Sequence, residues 1–490
     1  MRKLTNQIIH TVFLIGLCCG LTAVAEAAVF QVNSNSDDQT DGCGAVVGTC
    51  TLREAVAAAN ADPALDTVTF APSITVVTLT AGEIVIANDI EISPPMTATA
   101  VVTIQSAGVG GRIFNIAAGA DTTLGKLALA DGLAEGNGGA ILNNGAVLTI
   151  NDSVIRNNEA TAGSMGSGFG GGIYTSGGTV NINRSTIGGA GMLGNRAAAG
   201  GGIYNLNGTV NLTNSTVTNN FSGGIGGGYY GFADIGAAML TSISNTIAFN
   251  TATNGGGIAV SSLTGFQSRV TINNTIVAKN NAVTGPDVSD NPPVALGVPG
   301  IITSTGYNIV GNTSGATIVT TNAVGDQFNI NPTLPLLLPL ANNGGFTPTH
   351  ALEFSANNPA IDKGNTQQTE DQRGFSRNDD FPGIPNAPGG NGTDIGAFEV
   401  QIGVTAAAVT VVGRVVTSSS KGVSRARVSI TDSNGATRIT STNFFGYFRF
   451  EEVTAGETYI FNVSSKSHSF RPQVVTVNEE LTDLNFVAEP

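Results

Sequence analysis

Hydrophobic residues alternate with Asn and Thr in a segment that recurs along the middle of the chain. One copy, GGGIYNLNGTVNLTNSTVTNN, occupies residues 200–220, and related copies begin at Gly138, Gly170, Gly226 and Gly255. Apolar side chains two residues apart predict a strand with one buried and one exposed face. The copies recur about every 30 residues, and a single copy cannot bury its apolar face alone. This pattern predicts an all-β solenoid with about three strands in each turn.

The first apolar residue after each glycine cluster predicts the register of the stack. Equivalent residues are expected one above another, at the strand spacing of about 4.8 Å. They are Ile141, Ile173, Ile203, Tyr229 and Ile258, with Ile113 one turn earlier. Because crossovers between parallel strands are right-handed, residues 65–340 are predicted to form a right-handed parallel β-helix, with covering loops after residue 286. Its corners are predicted at glycine clusters and at three Asn pairs, Asn157-Asn158, Asn219-Asn220 and Asn280-Asn281.

The residues before the repeat predict a helix that closes one end of the solenoid. In TCTLREAVAAAN, residues 49–60, Thr51 and Glu54 have the spacing of a capping box. A solenoid needs covered ends, so residues 28–64 are predicted to form an N-terminal cap. The apolar face of its helix consists of Leu52, Ala55, Val56 and Ala59.

The first 27 residues have the pattern of a secretory signal peptide. Arg2 and Lys3 precede an apolar run too short for a membrane span, and small residues of the form Ala-x-Ala follow it. The protein is therefore predicted to be secreted or displayed on the cell surface, with no transmembrane span in the mature chain. In an oxidising compartment Cys43 and Cys50 are predicted to form a disulfide. The alternative, a two-cysteine metal site, has no nearby His or third Cys to complete it.

Net charge narrows the choice of partner. The 490 residues include 21 Lys or Arg and 35 Asp or Glu, which gives a formal net charge of −14. Such a chain repels nucleic acid and anionic membrane surfaces, so nucleic acid is not a predicted partner. A hydrophobic content of 41% against 11% charged residues also argues against a disordered chain.

Beyond residue 408 the pattern changes to alternating segments with few glycine clusters. VTVVGRVV, RARVSITD, YFRFEEV, TYIFNVSS and LNFVAE predict strands, and DSNG and TAGE predict turns between them. Residues 401–408 are predicted to be a linker. Residues 409–490 are predicted to form a small antiparallel β-sandwich of the transthyretin or immunoglobulin type.

Four segments resemble known families. Residues 50–60 resemble the N-terminal motif named after its residues Cys-Ser-Leu-Arg-Glu-Ala, with Thr51 in place of Ser. NNGGFTPTHAL, NNPAIDKG, DQRGFSR and TDIGAFE, within residues 341–400, resemble the choice-of-anchor Q domain. The repeat resembles pectate-lyase-like β-helices, and residues 409–490 resemble carboxypeptidase regulatory-like domains. The first two resemblances imply a secreted bacterial surface protein, and the β-helix implies polysaccharide lyases and hydrolases among its functions.

The enzyme hypothesis depends on acidic residues of the repeat. An inverting glycoside hydrolase needs two carboxylates about 6.5–9.5 Å apart. Residues 136–281 contain three acids, Asp152, Glu159 and Asp234. The repeat places Asp152 beside Arg184, which predicts an exposed ion pair, in a column continued by Asn214, Asn245 and Asn274. No catalytic residue is therefore predicted.

The densest polar group lies in the segment that resembles the anchor-Q domain. Asp371, Asp379, Asp380 and Asp394 supply oxygens that suit a hard cation, and they are the candidates for a calcium site. The alternative is that Asp371, Arg373 and Asp394 tie irregular loops together through ion pairs and bonds to backbone amides. No other cofactor is predicted. The same polar segment also contains His350, Asp362, Glu370, Arg377 and Glu399.

These patterns favour a structural or adhesive protein without catalysis, with a polysaccharide or a cell-surface protein as its partner. The rows of Asn and Thr motivate this hypothesis, because they offer a flat hydrogen-bonding surface. One alternative is a polysaccharide lyase or glycoside hydrolase with an atypical site. Another is a passive spacer that presents its C-terminal domain.

Overall fold

The chain divides into two units, residues 1–400 and residues 401–490. The first unit contains a parallel β-solenoid and the second a small domain of mainly antiparallel sheets, so the predicted fold class is confirmed. The predicted signal peptide, apart from Ala27, and most of the predicted linker lie outside the described residues. The computed structural model describes residues 27–38, 42–43, 49–108, 111–163, 168–290, 297–322, 324–331, 333–334, 336–377, 379–401, 408–432, 435–454, 457–477 and 480–489.

Four sheets form the walls of the solenoid, and in each of them nearly every strand pairs in parallel with its equivalent in the next turn. Sheet 1 has 11 strands: Val29–Val32, Asp66–Phe70, Ile90–Ile92, Asp121–Gly125, Val147–Asn151, Thr179–Asn183, Thr209–Thr213, Ala238–Ile243, Ser268–Asn273, Ile301–Ser304 and Ile318–Thr320. Sheet 2 has 10 strands: Val76–Leu79, Val102–Ser106, Leu127–Ala130, Val154–Arg156, Thr186–Gly188, Thr216–Thr218, Thr246–Ala248, Ile276–Ala278, Ile309–Val310 and Gln327–Phe328.

Sheets 3 and 4 complete the cross-section. Sheet 3 has nine strands, of which the last pairs antiparallel: Ile84–Ile86, Phe114–Ile116, Ile141–Asn143, Ile173–Ser176, Ile203–Leu206, Tyr229–Ala233, Ile258–Leu263, Val288–Ser289 and Gly297–Pro299. Sheet 4 has six: Leu133–Glu135, Glu159–Thr161, Arg196–Ala199, Phe221–Ile225, Thr251–Asn254 and Asn281–Thr284. A separate hairpin joins Leu337–Ala341 to Thr349–Leu352.

The predicted register holds from Ile141 to Ile258. Ile141, Ile173, Ile203, Tyr229 and Ile258 pair in one column, and all are fully buried. One turn earlier the column contains Phe114, so the prediction of Ile113 was wrong by one residue. Ile113 and Phe114 are both apolar and fully buried. The alternation of apolar and polar residues therefore cannot tell which of the two lies in the column.

A row of buried side-chain amides runs along the corner that leads from sheet 2 to sheet 4. Each Asn donates both its backbone N–H and its Nδ2 to the Oδ1 of the next turn, at 2.9–3.1 Å. The residue before the corner Asn adopts left-handed backbone in four of the five turns, as at Asn219 (φ 55°) and Lys279 (φ 61°), but not at Gly194. The last predicted corner pair is therefore shifted by one, to Lys279 and Asn280. The amide row is Asn158, Asn195, Asn220, Asn250 and Asn280, and it ends on Asp287.

A helix, Leu52–Ala59, covers the first turn of the solenoid. The predicted capping box is present, since Thr51 Oγ1 accepts from Glu54 N–H at 3.2 Å and Glu54 Oε2 accepts from Thr51 N–H at 3.0 Å. Its apolar face joins one continuous core that extends to Val310. The predicted Cys43–Cys50 disulfide is present beside it.

The second unit consists of two sheets with a shared core. One sheet contains Ala408–Val416, Tyr447–Thr454 and Leu481–Val487, and the other contains Arg427–Thr431, Thr437–Ser441, Glu457–Ser464 and Gln473–Val477. Strands pair antiparallel except Ala408–Val416 with Leu481–Val487, which run parallel. Both sheets contribute to one core, for example through Phe448 and Phe461. Among the described residues of both units, no helix is long and apolar enough to cross a membrane.

Candidate functional site

The acid-rich segment 341–400 packs on the outside of sheet 2. The contact begins at a column of threonines that repeats once per turn. Thr186 Oγ1 donates to Pro348 O at 2.7 Å, Thr216 Oγ1 donates to Gln372 Oε1 at 2.6 Å, and Thr246 Oγ1 accepts from Ala397 N–H at 3.1 Å. The outer face of sheet 2 is therefore covered along these turns.

A second column, at the corner between sheets 1 and 2, also binds this segment. We call Arg184, Asn214, Ser244 and Asn274 the docking line; all four have left-handed backbone. Asn214 Nδ2 donates to Glu370 O at 2.8 Å, and Asn274 Nδ2 donates to Asp394 O at 3.0 Å. The sequence alignment of the repeats placed Asn245 in this column, which was wrong: Ser244 lies there, and Asn245 points into the interior.

The predicted ion pair between Asp152 and Arg184 lies at the start of the docking line. Arg184 Nε and Nη2 donate to the two oxygens of Asp152 at 2.8 Å each. The arginine side chain is 37% exposed, and the bond to Asp152 raises the pKa of Arg184. The other two acids of the repeat lie elsewhere in the cross-section, Glu159 in sheet 4 and Asp234 just after sheet 3, where Asp234 accepts from Asn207 at 2.6 Å.

Arg377 is the centre of a buried ionic network. Its guanidinium is fully buried and donates to Asn214 Oδ1 of the docking line at 3.0 Å. It also donates to Glu399 Oε2 at 3.3 Å and to the backbone oxygens of Glu370, Asp394 and Gly396 at 3.0, 3.4 and 2.7 Å. One side chain thus joins three parts of the segment to the solenoid.

Burial governs the protonation of this network. Burial raises the pKa of Asp394 to about 7, and burial together with the charge of Asp394 raises the pKa of Glu399 to about 10. Glu399 Oε2 accepts from Asp394 N–H at 2.9 Å, so the two carboxyl groups are close neighbours. Two such groups titrate as a pair. The pair therefore holds a proton at neutral pH, which limits the negative charge beside the Arg377 guanidinium.

The four calcium candidates occupy two different environments. Asp371 is fully buried, pairs with Arg373 at 2.7 Å and accepts from the backbone N–H of Phe375. Asp394 is also buried, and its oxygens accept from two backbone N–H groups at 2.7–2.8 Å. By contrast, Asp379 is partly exposed and Asp380 is exposed. Within the described residues, no group of three or more His, Cys, Asp or Glu side chains could hold a metal ion.

His350 has a structural environment in this segment. Its Nε2 lies 2.8 Å from Thr218 Oγ1 of sheet 2, and its Nδ1 lies 2.7 Å from Leu338 O. Its ring packs on Phe249 with centroids 4.9 Å apart. Burial lowers the pKa of His350 to about 4, so the imidazole is neutral at pH 7 and joins the segment to the solenoid.

Sheet 3 is covered in a different way. Tyr174, Tyr204 and Tyr230 form a row on adjacent turns, with neighbouring ring centroids 5.1–5.3 Å apart. They are buried together with Ala199 and Ile225 of sheet 4. This aromatic row is therefore packing between two sheets.

The outer face of sheet 1 remains partly exposed and is polar. Its central line, which we call the Asn/Thr row, has one residue in each of seven successive turns, all partly exposed. Asn211 Nδ2 donates to Asn181 Oδ1 at 2.9 Å, so the amides are held in place by their neighbours. At the strand spacing of about 4.8 Å the row is about 29 Å long. Its members are Thr123, Thr149, Asn181, Asn211, Thr241, Thr271 and Thr303.

Sequence reasoning found the Asn/Thr row, the Asp152–Arg184 pair and three of the four docking-line residues, but it missed the contact of this line with segment 341–400 and the threonine column. A signal for both was present, because Ser-Thr-Ile, Ser-Thr-Val and Asn-Thr-Ile recur at residues 185–187, 215–217 and 245–247. Three successive buried positions, as in Thr216–Thr218, mean that both faces of a strand are covered. Nothing in the repeat itself indicates that residues 341–400 supply the cover.

Comparison with protein-family models finds no family that matches this chain. Comparison with curated proteins likewise finds no match.

Proposed function

We propose that this protein is secreted or displayed on the cell surface and binds glycan chains along the outer face of sheet 1, without catalysing their cleavage. The observation that carries the proposal is the Asn/Thr row. It presents hydrogen-bond donors and acceptors at a constant spacing, on a rigid face. A polymer with regularly spaced hydroxyl groups suits such a row, because each turn of the solenoid can bond one more unit of the polymer.

Charge supports a neutral, hydroxyl-rich ligand over an ionic one. The five central strands of sheet 1, from Val147 to Asn273, contain no Asp or Glu, and Arg269 is their one charged residue. The side-chain amides of Asn181 and Asn211 are already ordered by each other, so binding costs less side-chain entropy than it does on a mobile surface.

Binding to an array of neutral and acidic polysaccharides tests the proposal. We expect Asn181→Leu/Asn211→Leu to weaken binding about tenfold or more, since each lost hydrogen bond contributes about 0.5–1.5 kcal/mol. The matched control is Asn115→Leu/Asn144→Leu. Asn144 Nδ2 donates to Asn115 Oδ1 at 2.9 Å, which is the same contact between adjacent turns, but this pair lies outside sheet 1.

Three results would contradict the proposal. Equal losses in both double variants would show that sheet 1 is not the binding face. Release of reducing ends or unsaturated products, abolished by Asp152→Asn or Asp234→Asn, would indicate a hydrolase or lyase instead. Surface attachment that depends on residues 409–490, with no glycan bound by residues 28–400, would indicate a passive spacer.

A further inference from the structure

An aromatic turn projects from one end of the C-terminal domain. Phe444 is 81% exposed and Phe445 is 63% exposed, and their rings meet edge to face with centroids 5.6 Å apart. The turn is rigid, because Asn443 Oδ1 accepts from the N–H groups of Phe445 and Tyr447 at 2.9 and 3.0 Å, and Asn443 N–H donates to Tyr447 O at 2.8 Å. Two large apolar side chains are therefore held in solvent at this turn, which costs free energy unless a partner covers them.

Basic residues surround this turn. Arg414 Nε donates to Phe445 O at 3.0 Å, and its guanidinium lies 5.0 Å from the centroid of the Tyr447 ring. The backbone at Gly422 packs so closely on the carbonyl oxygen of Phe445 that an added Cβ would clash with it, so the exposed Lys421 adjoins the turn. Arg425 N–H donates to Thr442 O at 3.1 Å, two residues before Phe444.

The same end of the domain carries further cations and little negative charge. The strand registers place the loops at 417–426, 442–446 and 465–472 together at this end. These loops contain no Asp or Glu, and Glu489, whose N–H donates to Ser469 O, pairs with Arg471 at 2.7 Å. The opposite end contains most of the acids, namely Asp432, Glu451, Glu452, Glu457 and Glu480.

The net charge of the whole chain does not describe the C-terminal domain. Residues 401–490 contain eight Lys or Arg and eight Asp or Glu, so the formal net charge of −14 belongs entirely to residues 1–400. The C-terminal domain is neutral as a whole and basic at its aromatic end. An anionic surface that repels the first unit can therefore attract this end of the second.

We propose that the aromatic end of the C-terminal domain docks on an anionic lipid bilayer, with Phe444 and Phe445 inserted at the headgroup level. Exposed aromatic side chains flanked by Lys and Arg are the composition that binds such interfaces. A binding platform for sugars is less well matched, because the two rings meet edge to face and give no flat aromatic surface on which sugar rings could stack. The inference is independent of the glycan-binding face on sheet 1.

Vesicle binding by residues 28–490, the chain that follows the predicted signal peptide, tests the proposal. We expect binding to phosphatidylcholine vesicles that contain 30 mol% phosphatidylglycerol, and little binding to pure phosphatidylcholine. Phe444→Ser/Phe445→Ser is expected to weaken it about tenfold or more, and Lys421→Glu/Arg425→Glu to a similar extent of about tenfold or more. The matched control is Ile460→Ser/Val474→Ser. These two exposed apolar residues pair across strands at the opposite end of the domain, and we expect a change within about twofold.

A fluorescence measurement keeps the test decisive even if a double variant folds poorly. The chain contains no Trp, so Phe444→Trp introduces a single probe, and Val474→Trp is its control. Brominated lipids should quench the emission of the first probe and not of the second. Equal quenching of the two, equal binding to neutral and anionic vesicles, or Phe444-dependent binding to an acidic polysaccharide in place of vesicles would each overturn the proposal.

Discussion

Replacement of Arg377 by Met tests whether the buried ionic network holds segment 341–400 on the solenoid. Methionine fills a similar volume without hydrogen-bond donors. Five acceptors then lose the bond that Arg377 donates, among them Asn214 Oδ1 on the docking line and Glu399 Oε2. Four of the five bonds are buried, all but the one to Glu370 O, so water cannot replace the arginine at these four acceptors.

The expected cost is about 3–5 kcal/mol, the range for removal of one partner of a buried pair. Because each turn of a solenoid contacts only its neighbours, most of this loss should appear as local opening of the segment. Native-state hydrogen exchange measures that opening directly, and amides of residues 370–399 should exchange about 10² to 10³ times faster. The control is Arg184→Met, which breaks a pair whose arginine is 37% exposed and should cost less than about 1 kcal/mol.

A double variant separates the contribution of the ionic network to stability from the contribution of general packing. If the polar groups that lose the arginine cause the loss, Arg377→Met/Glu399→Leu should be more stable than Arg377→Met alone, since the buried Glu399 carboxyl that faced the arginine is removed as well. Equal exchange rates for Arg377→Met and the Arg184→Met control would refute the reasoning. That result would mean that the threonine column alone attaches the segment.

Three further outcomes are expected. Since the pKa of Asp394 is raised to about 7, the folded state keeps a proton that the unfolded state releases above its ordinary pKa of 3.8. The free energy of unfolding should therefore fall as pH rises from about 4 to 7. Urea unfolding at several pH values measures this fall, and its slope against pH should be smaller for Asp394→Asn. Cys43→Ser/Cys50→Ser should destabilise the N-terminal end by about 2–3 kcal/mol in the chain-entropy model, and thermal unfolding of the oxidised and reduced wild type should differ by the same amount. Thr51→Ala removes the capping box and should cost about 1 kcal/mol, measured by exchange of the amides in Leu52–Ala59.

The stacking of the solenoid was predictable from the sequence because the repeat has a strong apolar period. The position after each glycine cluster is occupied by Ile or Tyr in five successive turns, and their pairing follows the prediction. The errors are single-residue shifts at corners. Alignment of the repeats placed Asn245 in the docking line, but Ser244 lies there, with left-handed backbone at φ 56°.

The network around Arg377 could not be predicted in the same way. Its members come from residues 214 and 370–399, so no local period connects them. The sequence shows that acids and arginines are numerous there, and both a cation site and a set of ion pairs satisfy that composition. Only the three-dimensional path of segment 341–400 places Arg377 within reach of Asn214.

The buried amide row gives the solenoid a direction and a modular length. Every side-chain carbonyl in it accepts from the preceding turn and every NH₂ donates to the following one, so the amide dipoles add and leave their positive end at Asn280, where the Asp287 carboxylate accepts it. Spacings between successive members vary from 25 to 37 residues, so loop length between them is free to drift during evolution. A gene duplication that copies one whole turn preserves every bond of the row, whereas insertion of one residue within a strand breaks it. The row can therefore lengthen or shorten by complete turns, and the Asp287 carboxylate marks where the row ends, while sheets 1 and 2 continue beyond it.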